Sequence, residues 1–140
     1  MKKLASLSVA FTVGMAVLLL PTLALAQATH VEIGDTGELT GAGVVVPVTV
    51  ACVDDSTNAD VVVRLRQANT EGGATTFAGG EGELPLQACD STPQTVHVLV
   101  PYTGRMELGR AAATAELDAC DSTHDNCNRL IDSPGIQIVD

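Results

Sequence analysis

Tryptophan is absent from this 140-residue chain, tyrosine occurs once and phenylalanine twice. A core must therefore be filled by valine, leucine, isoleucine and alanine. Lysine is almost missing as well. Lys2 and Lys3 are the whole complement, and beyond residue 26 the only permanent cations are Arg64, Arg66, Arg105, Arg110 and Arg129. Against 17 Asp and Glu residues this gives a formal net charge of −10. Such a surface repels nucleic acid phosphate and anionic lipid, so neither is expected as a partner, and it suits a soluble monomer. Gly-x-Ser-x-Gly elbows, His-Glu-x-x-His helices, phosphate-cradling glycine loops and paired Cys-x-x-Cys spacings are all missing. These absences point away from an enzyme and from a bound cofactor.

What is present begins with an export address. Lys2 and Lys3 precede an apolar run from Leu4 to Leu20, Pro21 breaks it, and Ala24-Leu25-Ala26 places small residues where a signal peptidase reads them. Ser6, Ser8, Thr12 and Gly14 interrupt the run and no basic cluster follows it, which disfavours a retained membrane helix. We read residues 1–26 as a cleaved signal peptide and residues 27–140 as one domain, secreted or held at the cell envelope without membrane insertion. Removing the two lysines takes the net charge from −10 to −12. The remaining 114 residues form a domain that buries only about two thirds of its unfolded surface, so covalent help is valuable. Cys52, Cys89, Cys120 and Cys127 all lie beyond the cut, and an even count in an exported chain reads as two disulfides. Of three possible pairings we favour Cys120–Cys127 as a short staple, which leaves Cys52–Cys89 as the long bridge.

Period-two alternation dominates the rest. Val44, Val46, Val48, Val50 and Cys52 share one strand face, with Pro47 opposite, which suggests an edge or a bulge there. Val61, Val63 and Leu65 repeat the pattern, with Val62, Arg64 and Arg66 facing away; Val96, Val98 and Val100 do so again. Val31–Ile33, Leu84–Leu86 and Ile136–Ile138 are shorter strands. Met106–Leu117 has helix-forming composition, yet Ala111, Ala113, Ala115 and Leu117 alternate, and we read it as a strand with a bulge at Gly109. Residues 34–43, 54–60, 69–82, 89–93 and 120–135 are rich in turn formers. Gly72-Gly73 and Gly79-Gly80-Glu81-Gly82 read as a flexible hairpin or loop. Short strands at this spacing suggest an antiparallel sandwich of about seven strands.

Chemically, the densest stretch is the acidic loop from Asp118 to Asp132. Asp121, Asp125, Asn126 and Asp132 could offer hard oxygen ligands to calcium if the staple drew them together. The fit to an EF-hand loop is poor, with Asn126 in place of glycine and Asp132 in place of glutamate. A polar, disulfide-closed surface loop explains the same residues without a metal. His30, His97 and His124 are scattered and read as solvated; Asp54, Asp55 and Asp60 read as a solvated turn. Arg64 and Arg66 are placed to pair with acids on a neighbouring strand.

The order Cys52, Val61-Val62-Val63-Arg64-Leu65-Arg66-Gln67, Cys89-Asp90 and Leu108-Gly109-Arg110-Ala111-Ala112-Ala113 resembles small secreted bacterial proteins, common in actinobacteria, of immunoglobulin-like build and unknown function. The resemblance spans most of residues 27–140 and implies a single immunoglobulin-like β-sandwich; it brings no catalytic residue. A weaker similarity is to the apoproteins of secreted antibiotic chromoproteins, from which this chain departs in its longer Cys52–Cys89 spacing and its shortage of aromatics. The expected function is a non-enzymatic binding module for an extracellular protein or glycan, with Asn69–Gly82 and Cys120–Gly135 as recognition loops. A small apolar-ligand carrier and a disulfide-looped inhibitor of a secreted enzyme are the alternatives. An enzyme would need a pocket gathering His97 or His124 with acids.

Overall fold

The computed structural model describes residues 27–54 and 56–140. The segment read as a signal peptide, and Asp55, lie outside the described residues. Nine strands and, among the described residues, no helix make up the fold. In chain order they are β1 (Ala28–Ile33), β2 (Thr36–Leu39), β3 (Val44–Cys52), β4 (Asn58–Glu71), β5 (Ala74–Leu86), β6 (Gln94–Val100), β7 (Gly109–Cys120), β8 (Cys127–Asp132) and β9 (Gly135–Val139). All belong to one mixed sheet. Its continuous path runs β6–β3–β2–β9–β7–β4–β5, with β1 sharing the β2 edge of β3 and β8 sharing the β9 edge of β7.

Two expectations need correction here. The strands number nine rather than about seven, and they are not all antiparallel, because β2 runs parallel to β9 through Thr36↔Gln137 and Glu38↔Val139. The extra strands sit in segments that composition marks as turns. Thr-Gly-Glu-Leu in β2 and Cys-Asn-Arg-Leu-Ile-Asp in β8 have little strand character of their own and are extended because β3, β9 and β7 offer them edges.

The alternating faces are as the pattern implies. Val44, Val46, Val48, Val50 and Cys52 of β3 are fully buried and meet Val61 and Val63 of β4, Val98 and Val100 of β6, and Ala115 and Leu117 of β7 in one core. Pro47 is neither at a free edge nor in a bulge. Strand β6 pairs with it on one side, while on the other its carbonyl accepts from Gly34 at 2.9 Å, where the chain passes from β1 to β2 and no ladder donor is needed. Residues 106–117 are not helical. Strand β7 begins at Gly109 instead of running from Met106 through a bulge there, which corrects that expectation, while Ala111, Ala113, Ala115 and Leu117 are inward as expected. Met106 is buried from an irregular segment that Gln67 of β4 pins down. The Gln67 amide, 3% exposed, accepts from Glu107 N at 2.8 Å and donates to Glu107 O at 2.9 Å and Arg110 O at 3.3 Å.

Both disulfides form in the favoured pairing. Cys52–Cys89 ties β3 to the segment after β5 with Cα atoms 5.4 Å apart, and Cys120–Cys127 links directly opposed residues of β7 and β8 at 4.1 Å. In the chain-entropy picture these loops contribute about 4 and about 2–3 kcal/mol. Such bonds belong to an oxidising environment.

Two seams close the sheet around its core. At one, Asn128 of β8 clamps the Ala28 peptide of β1, accepting from its N–H at 2.5 Å and donating to its carbonyl at 3.0 Å, while Asp132 accepts from Ile33 N at 2.9 Å. At the other, β5 lies against the chain leaving β6. Gly79 and Thr103 exchange both main-chain bonds, and Gly80 and Gly82 let Pro101 and Leu99 come in. A Cβ on Gly80 would sit 1.8 Å from Pro101 O, and one on Gly82 2.2 Å from Leu99 O. Gly79, Gly80 and Gly82 are thus strand positions with no room for a Cβ, inside a β4–β5 hairpin rather than in a flexible loop.

Gly80→Ala and Gly82→Ala should each destabilise by at least about 1–3 kcal/mol, lowering the melting temperature by roughly 5–20 °C in thermal denaturation. Gly41→Ala, whose Cβ meets open space, is the control and should leave melting in place; unchanged melting for Gly80→Ala would refute the close approach. Gln67→Ala orphans three main-chain groups and should cost about 2–3 kcal/mol, with faster hydrogen exchange at the Glu107 amide.

Candidate functional site

The outward side chains of β5, β4, β7 and β8 form one continuous face. Cross-strand register places Glu81 beside Arg64, Arg64 beside Thr114, and Asp118 beside Arg129. An ion-pair chain crosses its middle. Arg64 donates to Glu81 at 2.5 Å and to Glu116 at 2.7 Å; Arg129 reaches Glu116 at 3.6 Å and Asp118 at 2.8 Å. The expected pairing of Arg64 with neighbouring acids is present; exposed pairs of this kind add little stability each.

Toward the end carrying the Cys120–Cys127 staple, the face becomes acidic. Asp60 is directly opposite Asp118, with Glu83 on the neighbouring strand. Partial burial pushes the Asp60 carboxyl above its ordinary value, helped by the charges of Asp118 and Glu83 and opposed by Arg129. These acids line an open depression of about 420 Å³ that His124 also borders. The pocket an enzyme would need is to that extent assembled, but among the described residues the His124 ring bonds none of these carboxylates. His97 borders a smaller depression of about 190 Å³ with Glu38 and Asp140, and His30 lies 3.3 Å from Glu32. Asp54 is a turn cap: hydrogen bonding from the Ser91 side chain, and then from Ser91 N at 2.9 Å, holds its carboxyl below the ordinary range.

At the opposite end the hairpin of β4 and β5 runs past the last β4–β7 pair, Arg66↔Ala112, as a two-stranded arm. Its tip is a two-residue turn, Gly72 at φ 59° and Gly73 at φ 84°, with Glu71 opposite Ala74. Two positive φ values give the primed geometry that matches strand twist, so the arm is ordered by its sequence. On its outward face Phe77 is 55% exposed, and the Arg66 guanidinium lies over the ring at 4.4 Å from the centroid. Gly79 and Ala112 flank Arg66, and an open trough of about 410 Å³ passes Arg64, Arg66, Gly80, Ala112 and Thr114. Arg66 thus binds an aromatic ring rather than the acid expected of it. Sequence reasoning missed this pair because Phe77 lies in the glycine-rich stretch; the β-forming run Ala74-Thr75-Thr76-Phe77 is the signal that could have found it.

The four candidate calcium ligands are not gathered into one shell. Asp121 is occupied within the loop: its carboxylate accepts from Thr123 N at 3.0 Å, Thr123 Oγ1 at 2.8 Å and Asn126 Nδ2 at 2.6 Å. Asp125 and Asn126 share that loop, whereas Asp132 is at the far end of β8, about 17 Å along the strand from Cys127, turned to Ile33. Among the described residues no group of three or more His, Cys, Asp or Glu side chains is arranged to hold a metal ion.

A scan against models of known protein families and a search of curated proteins find no match. Among solved structures, the chain is similar to the sporulation control protein Spo0M of Bacillus subtilis, with a TM-score of 0.41 and 11% identity over 83% of this chain. It spans 51% of that protein's chain, about half.

The loop network makes a pH prediction. Hydrogen bonds from Asn126 and then Thr123 hold the Asp121 carboxyl at about 2, below its ordinary 3.8. A depressed folded value means that its contribution is present above pH 3.8 and is lost as pH falls through about 2. Carboxyl NMR titration should place the Asp121 midpoint near 2 and shift the Thr123 amide with it; a midpoint near 3.8 would show that the network does not form.

Proposed function

We propose that this chain is an exported, non-enzymatic binding module of immunoglobulin-like β-sandwich build. It acts as a monomer and engages an extracellular protein or glycan through the outer face of the β4–β5 arm. The observation that carries this reading is the placement of Phe77. Residues 27–140 contain one phenylalanine and no tryptophan, and burying a phenylalanine stabilises a fold by about 1.5–3 kcal/mol. This chain leaves that side chain more than half exposed, with a guanidinium over it. Aromatic and arginine side chains dominate the energetics of protein interfaces, and an arm already fixed by its turn and ladder loses little entropy on binding.

A second reading has its own support. The Cys120–Cys127 loop is closed by the disulfide and ordered by the Asp121 bonds, which suits a rigid inhibitor loop presented to a secreted enzyme. An apolar-ligand carrier fits less well, since the depressions described above are open troughs with charged rims.

Phe77→Ala separates these readings. It should preserve melting while cutting capture of the partner from culture supernatant or cell envelope at least tenfold, as read by quantitative mass spectrometry. Undiminished capture by Phe77→Ala, with loss in a variant whose residues 121–126 are replaced, would favour the inhibitor loop.

A further inference from the structure

Of the five arginines in residues 27–140, three are neutralised: Arg64 by Glu81 and Glu116, Arg129 by Glu116 and Asp118, and Arg105 by Glu107 and Glu71. Among the described residues Arg66 and Arg110 form no ion pair. Both are exposed, and both belong to the same face. Arg66 pairs with Ala112 across the β4–β7 ladder, so Arg110 is its diagonal neighbour, within reach of one small ligand group. In a chain with so many acids, two adjacent arginines without an acid partner constitute a local site of opposite sign to the whole.

The overall negative charge does not cancel this. At physiological ionic strength charges are screened beyond about 8 Å. The acids flanking the pair on this face, Glu81 and Glu116, are already matched by Arg64 and Arg129. What remains locally is two guanidinium forks, that of Arg66 oriented by Phe77 and flanked by the small residues Gly79 and Ala112, and that of Arg110 diagonal to it. A fork of N–H donors matches a carboxylate in bidentate fashion. The face also limits what kind of chain bears the carboxylate. From Ala59 to Arg66, β4 is paired on both edges, to β5 and to β7, so a peptide laid over the trough finds no main-chain partners there. A sugar needs none. It finds instead the hydroxyls of Thr114 and Ser133, themselves 3.2 Å apart, along the same strip.

We propose that Arg66, Arg110 and Phe77 form a binding site for a carboxylated polysaccharide, one whose repeating unit is a uronic acid. The assignment rests on the reading of the arm as a binding face and specifies its ligand.

The test is biolayer interferometry of the purified protein on immobilised polygalacturonate, dextran and poly-aspartate, at physiological salt with a chelator present to remove calcium bridging. Binding to polygalacturonate, at least tenfold tighter than to dextran or poly-aspartate, is expected. Arg66→Ala and Arg110→Ala should each weaken it about tenfold, and Arg66→Lys nearly as much, because lysine keeps the charge and loses the fork. Melting should be unchanged in all three variants. No binding to polygalacturonate, equal binding to poly-aspartate, or binding untouched by both alanine variants would overturn the proposal. Failure on polygalacturonate together with Phe77-dependent capture of a protein would remove the glycan and leave the binding module standing; failure of both would remove both.

Discussion

Everything in this fold depends on how closely its backbones approach. A core of valine and alanine is thin, because those side chains reach only a short way from the main chain. Strands that must exclude water from such a core have to come together, and at Gly80 and Gly82 they meet with carbonyl oxygens occupying the space of side chains. The shortage of aromatics and the glycine run in β5 are therefore two sides of one constraint. The core is filled by proximity instead of by bulk, and the disulfides fasten an enclosure that small side chains alone would hold weakly.

That constraint also explains which parts were legible in the sequence. Strand β3 announces itself, since five alternating core positions have no other reading, and its bridge through Cys52 follows from the same parity. Strand β7 was recoverable because Ala111, Ala113, Ala115 and Leu117 keep the period despite their helical composition. The strands β2, β8 and the glycine-rich middle of β5 were not recoverable by composition. Their residues are turn formers, and they are extended because another strand supplies the partner. Nor does any local pattern reveal that β2 runs parallel to β9, since that depends on where two distant chain segments meet.

The candidate site divides in the same way. The acidic loop drew attention by its density of oxygen ligands, but the β7–β8 ladder carries Asp132 away from Asp121, and the loop consumes Asp121 in its own hydrogen bonds. The Arg66–Phe77 pair depends on register between residues eleven apart in sequence, of which sequence reasoning put Arg66 on a strand and Phe77 in a loop. Along one sheet face the chain thus arranges acids at one end, compensated charge in the middle, and two uncompensated arginines at the other. A segregated arrangement of this kind says more about partners than the net charge does.

The positions of the arginines have a further consequence for survival among proteases. Enzymes that cut after basic residues have only arginine to use in residues 27–140, and they need an extended segment free of its neighbours. Arg64, Arg66, Arg110 and Arg129 are all inside ladder strands. Arg105 alone lies outside them, yet its carbonyl, the one such an enzyme would attack, accepts a hydrogen bond from Asn69 at 2.5 Å, and the next residue, Met106, is buried. Each susceptible bond is shielded until the sheet opens, so cleavage by such enzymes becomes a measure of global unfolding.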